Sequence, residues 1–143
     1  MSEFNVLKNK RINGLLMGND GLTIVFRTTE GKYYQFDTQN DCCNSVWFNH
    51  ITGVDTLGKG TSFDVIRGAL VIGVEDKGWS ENRFDEDGHE AVQDGFWTLR
   101  TDRGYIDIEV RNSHNGYYGG SVVLNDDCNL QEIEDLREVF EDF

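Results

Sequence analysis

The sequence LTIVFRTTEGKYYQFD, residues 22–37, predicts a β-hairpin. Two runs rich in β-branched and aromatic residues, 22–28 and 32–37, flank the tripeptide TEG, which is typical of a tight turn. A further turn signal, GNDG at residues 18–21, connects the hairpin to an earlier apolar stretch around residues 11–17. The first third of the chain is therefore expected to form a three-stranded meander.

A second meander is predicted from three runs, at residues 96–101, 105–111 and 117–124. The middle run alternates apolar and polar side chains, as expected of a strand with one buried and one solvated face. Two short strands, at residues 63–66 and 69–74, precede this meander. The stretch between the strands and the meander is rich in Gly, Asn and acids, which predicts a long loop.

Two segments are predicted to be helical. Residues 45–51, which follow the adjacent cysteines, favour one turn of helix, with a short strand as the alternative. Near the C-terminus apolar residues recur at spacings of three and four, the pattern of an amphipathic helix that Asp126, Asp127 or Asn129 would cap. These apolar positions are Leu130, Ile133, Leu136, Phe140 and Phe143.

The predicted fold class is α+β: an antiparallel meandering β-sheet with a C-terminal amphipathic helix and one short helix after the Cys-Cys corner. Residues 1–143 are expected to form a single domain, because a chain of this length can bury a substantial core and no linker-like stretch interrupts it. The expected parts are a β-rich scaffold at about residues 4–124, an acidic loop at about 75–95 and an acidic helix at about 128–143.

Two short motifs are similar to those of a known family. DCCNSVWFNHITGVDTLGK, residues 41–59, follows the first predicted meander, and SHNGYYGGSV, residues 113–122, follows a late strand. Together they resemble an uncharacterised domain family of phages and bacteria, in which an Asp-Cys-Cys corner precedes an Ile-Thr-Gly segment and an Asn-Gly-Tyr-Tyr turn comes near the end. The resemblance covers about residues 12–124. It implies a small β-rich domain and a phage origin, but no activity.

The negative charge is confined to the second half of the chain. The formal net charge is −13; residues 1–71 contain seven acids and seven bases, whereas residues 72–143 contain nineteen acids and six bases. Such a field repels phosphates, so direct binding of nucleic acid is not expected. The stretch MSEFNVLKNKRING contains no apolar run of the length that a signal peptide requires, and nowhere in the sequence do 18 apolar residues occur in a row. We therefore expect a cytoplasmic protein without membrane contact, in the host cytoplasm if a phage encodes it.

Candidate catalytic and metal-binding residues do not form a recognisable motif. The residues that could supply thiolate or imidazole ligands are Cys42, Cys43, His50 and Cys128. Adjacent cysteines cannot easily both face one ion, and packing as small hydrophobic residues is the simpler interpretation. A nucleophilic cysteine would need a base within hydrogen-bond reach, and the sequence names none. We therefore expect no enzyme activity, no metal and no cofactor.

The acidic C-terminal helix is the leading candidate for a binding surface. Its carboxylates approach the charge density of duplex DNA, and its like-charge pairs four residues apart destabilise a helix. A purely solubilising role is the alternative. We predict that these acids mimic phosphates and bind a basic host protein, such as a nucleic-acid-handling or defence protein, with help from the acidic loop. The residues of this surface are Glu132, Glu134, Asp135, Glu138, Glu141, Asp142, Asp85, Glu86 and Asp87.

An alternative hypothesis is a protein that binds or sequesters a small ligand, such as a nucleotide signal. Aromatic side chains would stack on the base and arginines would bind the phosphate. The candidate residues are Trp97, Arg100, Arg111, Tyr117 and Tyr118, with Trp47, Trp79 and Arg103 as further members. Exposed aromatic residues could equally close a homo-oligomer interface.

Overall fold

The computed structural model describes residues 3–40, 44–55, 60–61, 63–84, 90–114 and 120–139, and its regular structure is almost entirely antiparallel β-sheet. The strands are β1 (Arg11–Gly18), β2 (Thr23–Thr28), β3 (Tyr33–Thr38), β4 (Asn44–Asp55), β5 (Gly60–Thr61), β6 (Ala69–Trp79), β7 (Arg83–Phe84), β8 (Ala91–Thr101), β9 (Gly104–His114), β10 (Val122–Asn125) and β11 (Arg137–Glu138). Short 3₁₀ turns lie at Glu3–Leu7, Asn19–Gly21, Phe63–Ile66 and Leu130–Glu132.

The strands hydrogen-bond in the order β10-β3-β2-β1-β6-β8-β9-β4-β5, with β11 paired to β1 and β7 paired to β8. The first half contains the predicted meander, since β1 pairs with β2 and β2 with β3, all antiparallel. The second half contains the β8-β9 hairpin. Within β9 the predicted alternation is confirmed, because Ile106, Ile108 and Val110 are buried and the residues between them are half-buried.

The core is held together by aromatic contacts between the two halves of the sheet. Phe4, in the N-terminal 3₁₀ turn, is 1% exposed. Its ring centroid lies 4.5 Å from that of Phe36 on β3 and 5.5 Å from that of Trp97 on β8. Aromatic pairs at such distances stabilise a fold beyond the burial of their surface. Phe4 therefore connects a strand of the first half to a strand of the second.

The predicted α+β fold class is wrong, and the segment after the Cys-Cys corner shows why. Residues 45–51 belong to β4, a 12-residue strand that pairs along its length with β9. Val46 and Phe48 are buried in the core, whereas Ser45 between the strand start and Val46 is exposed. The segment is rich in β-branched and aromatic residues, and its pairing partner lies far away in the sequence. Local periodicity over seven residues could not reveal that partner.

The predicted C-terminal amphipathic helix is also wrong. Among the described residues of this segment, Leu130–Glu132 forms a single 3₁₀ turn, and the Asn129 side chain caps it by accepting a hydrogen bond from the Gln131 amide at 3.1 Å. Asp135 has a φ of 53°, which is incompatible with a right-handed helix. Arg137–Glu138 then pairs with β1 as strand β11. Residues 140–143 lie outside the described residues.

The apolar residues whose spacing predicted this helix lie instead in an irregular segment that packs on the sheet. Ile133 is 7% exposed, and a Cβ atom built on Gly18 would lie 2.3 Å from its Cγ2 atom. Gly18 is therefore required for the close approach of the segment to β1. Ile133 is thus buried without helical geometry, whereas Leu130 and Leu136 are half-buried.

Three smaller predictions also need correction. The last strand of the second meander, β10, pairs with β3 and not with β9. Residues 63–66 form a 3₁₀ turn, and β6 extends to Trp79, so the ends of the predicted acidic loop belong to β6 and β8. The acidic tip at Asp85, Glu86 and Asp87 lies outside the described residues, as do Cys42 and Cys43.

Candidate functional site

An open groove of about 480 Å³ lies where β2, β3 and β10 meet the C-terminal segment. We call it the Asp37 groove. The carboxylates that line it are Asp20, Asp37, Asp127, Glu132 and Glu134. None of the described residues lining it is a Lys, Arg or His. A concave surface lined by charges of one sign concentrates their field.

The turn between β1 and β2 forms one wall of the groove. Asn19 and Asp20 have φ values of 52° and 55°, a left-handed conformation that Asn and Asp adopt more readily than most residues. The backbone amide of Asn19 donates to the Glu134 carbonyl at 2.8 Å, and the Asn19 side-chain oxygen accepts from the Glu134 amide at 3.0 Å. This two-way contact holds Glu134 at the rim of the groove.

The floor of the groove is a hydrogen-bond network centred on the Asp37 carboxylate. Its Oδ1 atom accepts hydrogen bonds from the Thr23 hydroxyl at 2.8 Å and the Gln35 amide at 3.0 Å. Its Oδ2 atom accepts from the same Gln35 amide at 3.2 Å and from the Asn125 amide at 3.1 Å. Asn19 donates in turn to the Thr23 oxygen at 3.0 Å. Every one of these donors is neutral, so the network orients Asp37 without neutralising its charge.

No described Lys, Arg or His forms an ion pair with a carboxylate of the groove. Within the described part of the chain, the ion pairs involve other carboxylates, and none reaches the five acids that line the groove. Nearby, burial raises the pKa of the Cys128 thiol, and the charge of Asp37 raises it further. Cys128 is therefore a protonated thiol at neutral pH and not an activated nucleophile.

The structure brings together only part of the predicted partner-binding surface. Glu132 and Glu134 line the groove, and Asp135 is exposed next to them. Glu138 turns away, and its Oε1 atom lies 2.8 Å from Arg27 Nη2 and 3.3 Å from Arg67 Nη1. Glu141 and Asp142, like the acids of the loop tip, lie outside the described residues.

The residues of the alternative ligand site do not converge. Arg100 Nε lies 2.6 Å from Glu75 Oε1, and Arg111 Nε lies 2.9 Å from Asp94 Oδ1. The two arginines stand at opposite ends of the β8-β9 hairpin, since Arg100 pairs with Tyr105 and Asp94 with Arg111. Six residues of strand separate these pairs by about 20 Å.

The aromatic members of that site lie apart from the arginines or are not described. Trp97 is 7% exposed and packs edge-on against Trp79, with ring centroids 5.7 Å apart. The two rings line an open groove of about 320 Å³ whose described lining contains no arginine. Tyr117 and Tyr118 lie outside the described residues. The described geometry therefore does not bring the aromatic residues and the arginines of this hypothesis into one site.

Asp94 forms the most buried ion-pair cluster of the described residues. It is 5% exposed, and besides Arg111 it binds Arg83, whose Nη2 atom lies 2.7 Å from Asp94 Oδ2. Burial acts to raise the pKa of this carboxyl, but the hydrogen bonds and charges of Arg111 and Arg83 outweigh it and hold the pKa below its ordinary value. The cluster is fully paired, which favours a structural role.

Sequence reasoning missed the residues that form the floor of the groove. Thr23, Gln35 and Asp37 appeared as ordinary polar positions of a hairpin, although Thr23 and Gln35 are 2% and 6% exposed. These residues alternate with the core residues Ile24 and Phe36, so they lie on the opposite face of the sheet, where polar side chains are ordinary. No local signal indicates that the C-terminal segment meets this face and forms a groove there.

No group of three or more His, Cys, Asp or Glu residues within the described ranges could hold a metal ion. None of the helical segments in those ranges is long and apolar enough to cross a membrane.

Comparisons with known proteins place the chain in a family without assigning it an activity. No curated protein and no solved structure matches it significantly. A family model described as "Domain of unknown function (DUF7448)" matches residues 5–124. This confirms that the scaffold is an uncharacterised domain, and the match includes the acidic loop but ends before the acidic C-terminal segment. The chain therefore belongs to the DUF7448 family.

Proposed function

We propose that this protein is a non-enzymatic accessory or counter-defence protein of phage origin that binds a basic surface of a host protein. The observation that supports the proposal best is the Asp37 groove, whose five carboxylates have no described cation as an ion-pair partner. Negative charge gathered in one concave site attracts a basic partner and accelerates its association.

The position of the acids along the chain supports the same proposal. Residues 120–139 contain six acids and one base, and all six acids follow the stretch that matches the family. Asp126, Asp127, Glu132, Glu134 and Asp135 are all exposed. Exposed acids would be sufficient for solubility alone, but solubility does not require that they surround a groove.

The structure changes which residues carry the proposed interaction. The proposed binding surface no longer includes Glu138, because its carboxylate accepts hydrogen bonds from Arg27 and Arg67. Asp20 and Asp127 are added because they line the groove together with Glu132 and Glu134. The spacing of acids on a helix no longer supports phosphate mimicry, so the proposal depends on the charge of the groove and its rim.

The test is an affinity purification from host lysate with the full chain as bait, repeated across a salt series. The bait variant Glu132→Gln/Glu134→Gln/Asp135→Asn removes three exposed charges beside the groove. The control Glu3→Gln/Glu30→Gln/Glu81→Gln removes three exposed charges elsewhere, so the two variants have equal net charge.

We expect the captured partner to be basic, to dissociate as salt rises, and to bind the groove variant at least about tenfold more weakly than the control. If the groove variant and the control retain the same host proteins to the same degree, the acids beside the groove do not bind a partner and the proposal is wrong.

A further inference from the structure

The side-chain donors on the floor of the Asp37 groove are used internally, and the exposed amide of Asn129 is the exception among the described lining residues. The side-chain amide of Asn19 donates to Thr23, the Thr23 hydroxyl donates to Asp37, and the amides of Gln35 and Asn125 also donate to Asp37. The Asp37 oxygens receive four hydrogen bonds, because the Gln35 amide donates to both of them. Four is about the capacity of a carboxylate. A ligand entering the groove therefore finds few free donors.

The groups that remain free in the groove are mainly acceptors. The side-chain oxygen of Gln35 accepts no hydrogen bond from the described residues, although Gln35 is only 6% exposed. No fully buried side-chain oxygen or nitrogen of the described residues lacks a partner, so this oxygen must be open to the groove that Gln35 lines. The exposed carboxylates of Asp20, Asp127, Glu132 and Glu134 provide further acceptors around it.

This inventory selects for one ligand chemistry. A sugar hydroxyl both donates and accepts, so a polyhydroxylated ligand would leave most of its own acceptors unpaired. An anion would be repelled by the five carboxylates. A guanidinium group has five donors, no acceptor and a permanent positive charge, and it is more weakly hydrated than an ammonium group. It therefore complements the free groups of the groove most completely.

We propose that the Asp37 groove is a pocket for an arginine side chain of the basic partner, in which the Gln35 carbonyl oxygen accepts from the guanidinium group and the rim carboxylates surround it. This proposal rests on the proposed function, because it names the side chain of the basic partner that the groove would bind. The volume of about 480 Å³ leaves room for the guanidinium group with the stem of its side chain. Asp37 contributes through its charge, because its hydrogen-bonding capacity is already used.

The test is an NMR titration of the full, isotope-labelled chain with N-acetyl-arginine methylamide. N-acetyl-citrulline methylamide is the matched ligand control, because it has nearly the same shape but no charge. The side-chain amide signals of Gln35 and Asn125 report on the floor of the groove. We expect saturable shifts of these signals with the arginine compound and none with the citrulline compound.

Two protein variants locate the binding. Asp20→Asn/Glu134→Gln removes two exposed rim charges, and we expect it to weaken arginine binding roughly 2- to 25-fold, since each exposed ion pair contributes roughly 1.5- to 5-fold. Glu30→Gln removes one exposed charge at the opposite tip of the β2-β3 hairpin and should leave the affinity unchanged.

The proposed pocket is wrong if the arginine compound causes no saturable shift, if the citrulline compound binds equally well, or if the rim variant binds like the Glu30→Gln protein. These outcomes are separable from failure of the proposed function. A salt-sensitive host partner that is lost with the Glu132→Gln/Glu134→Gln/Asp135→Asn variant would stand even if free arginine did not bind. If arginine binds but no such partner is found, the proposed function is contradicted and the proposed arginine pocket is not.

Discussion

The ion pairs of Glu138 should decide whether strand β11 stays on the sheet, and the variant Glu138→Gln tests this. The carboxylate lies 2.8 Å from Arg27 Nη2 and 3.3 Å from Arg67 Nη1. Both arginines also donate to the Asn13 carbonyl, at 3.0 and 3.3 Å. The Arg27 side chain passes over Gly14, where a Cβ atom would lie 2.5 Å from its Nη2 atom. Glu138 thus connects the C-terminal segment to β2 across β1.

The expected loss follows from the burial of these groups. The three side chains are 24%, 27% and 31% exposed, so the interaction lies between a surface ion pair, at about 0.2–1 kcal/mol, and a charge-assisted hydrogen bond in the interior, at about 1.5–3 kcal/mol. Gln keeps a neutral acceptor of the same size, and we therefore expect a loss of about 1–2 kcal/mol. Because β11 pairs with β1 at two positions only, the loss should appear as local opening of this strand.

Amide hydrogen exchange measures that opening directly. The Val139 amide donates to the Leu15 carbonyl at 2.8 Å, and its protection should fall about 5- to 30-fold in Glu138→Gln. The control is Glu75→Gln, which breaks the more exposed pair with Arg100 and should change the protection of Val139 much less. If the protection of Val139 is unchanged in Glu138→Gln, or falls equally in Glu75→Gln, the arginines do not hold β11 in place.

Two further predictions concern the core and the buried cluster. Phe4→Ala should lower the free energy of unfolding by about 3–5 kcal/mol, because Phe4 is buried between Phe36 and Trp97, and urea titration followed by tryptophan fluorescence measures the loss; a loss below about 1 kcal/mol would mean that Phe4 does not connect the two halves of the sheet. The folded-state pKa of Asp94 is lowered, so its stabilising contribution is present above the unfolded pKa of about 3.9 and is lost as pH falls towards the folded value. Urea unfolding between pH 7 and acid should therefore show a smaller acid-induced loss of stability in Asp94→Asn than in wild type, and an equal loss in both proteins would assign the acid sensitivity to other groups.

Local sequence signals were reliable where pairing partners are neighbours along the chain. The β1-β2-β3 meander follows from turn residues and from runs of β-branched and aromatic residues, and β9 follows from its strict alternation. They failed where the partner is distant. β4 pairs with β9, and β10 pairs with β3, across long stretches of sequence that carry no local mark of these contacts.

The C-terminal segment shows a different limit of sequence patterns. Apolar residues at spacings of three and four satisfy a helix, but Ile133 reaches the core from an irregular segment held by Asn19 and by β11. The left-handed residue Asp135 and the like-charged acids act against a helix, whereas pairing with β1 provides backbone hydrogen bonds instead. The apolar spacing included Ile133, which is buried, but it did not indicate the backbone conformation that buries it.

The sequence by itself determined that the chain forms a β-rich domain of an uncharacterised family and that its negative charge lies in the second half, because composition and local pattern carry that information. Only the tertiary structure decided that Asp20 and Asp37 from the charge-neutral half meet Asp127, Glu132 and Glu134 around one groove. It also decided that Glu138 is paired with Arg27 and Arg67, whereas Glu132, Glu134 and Asp135 are exposed. The physical reason is that electrostatic sites depend on distances of a few ångströms between residues that are far apart in the chain, and those distances are set by the pairing of strands.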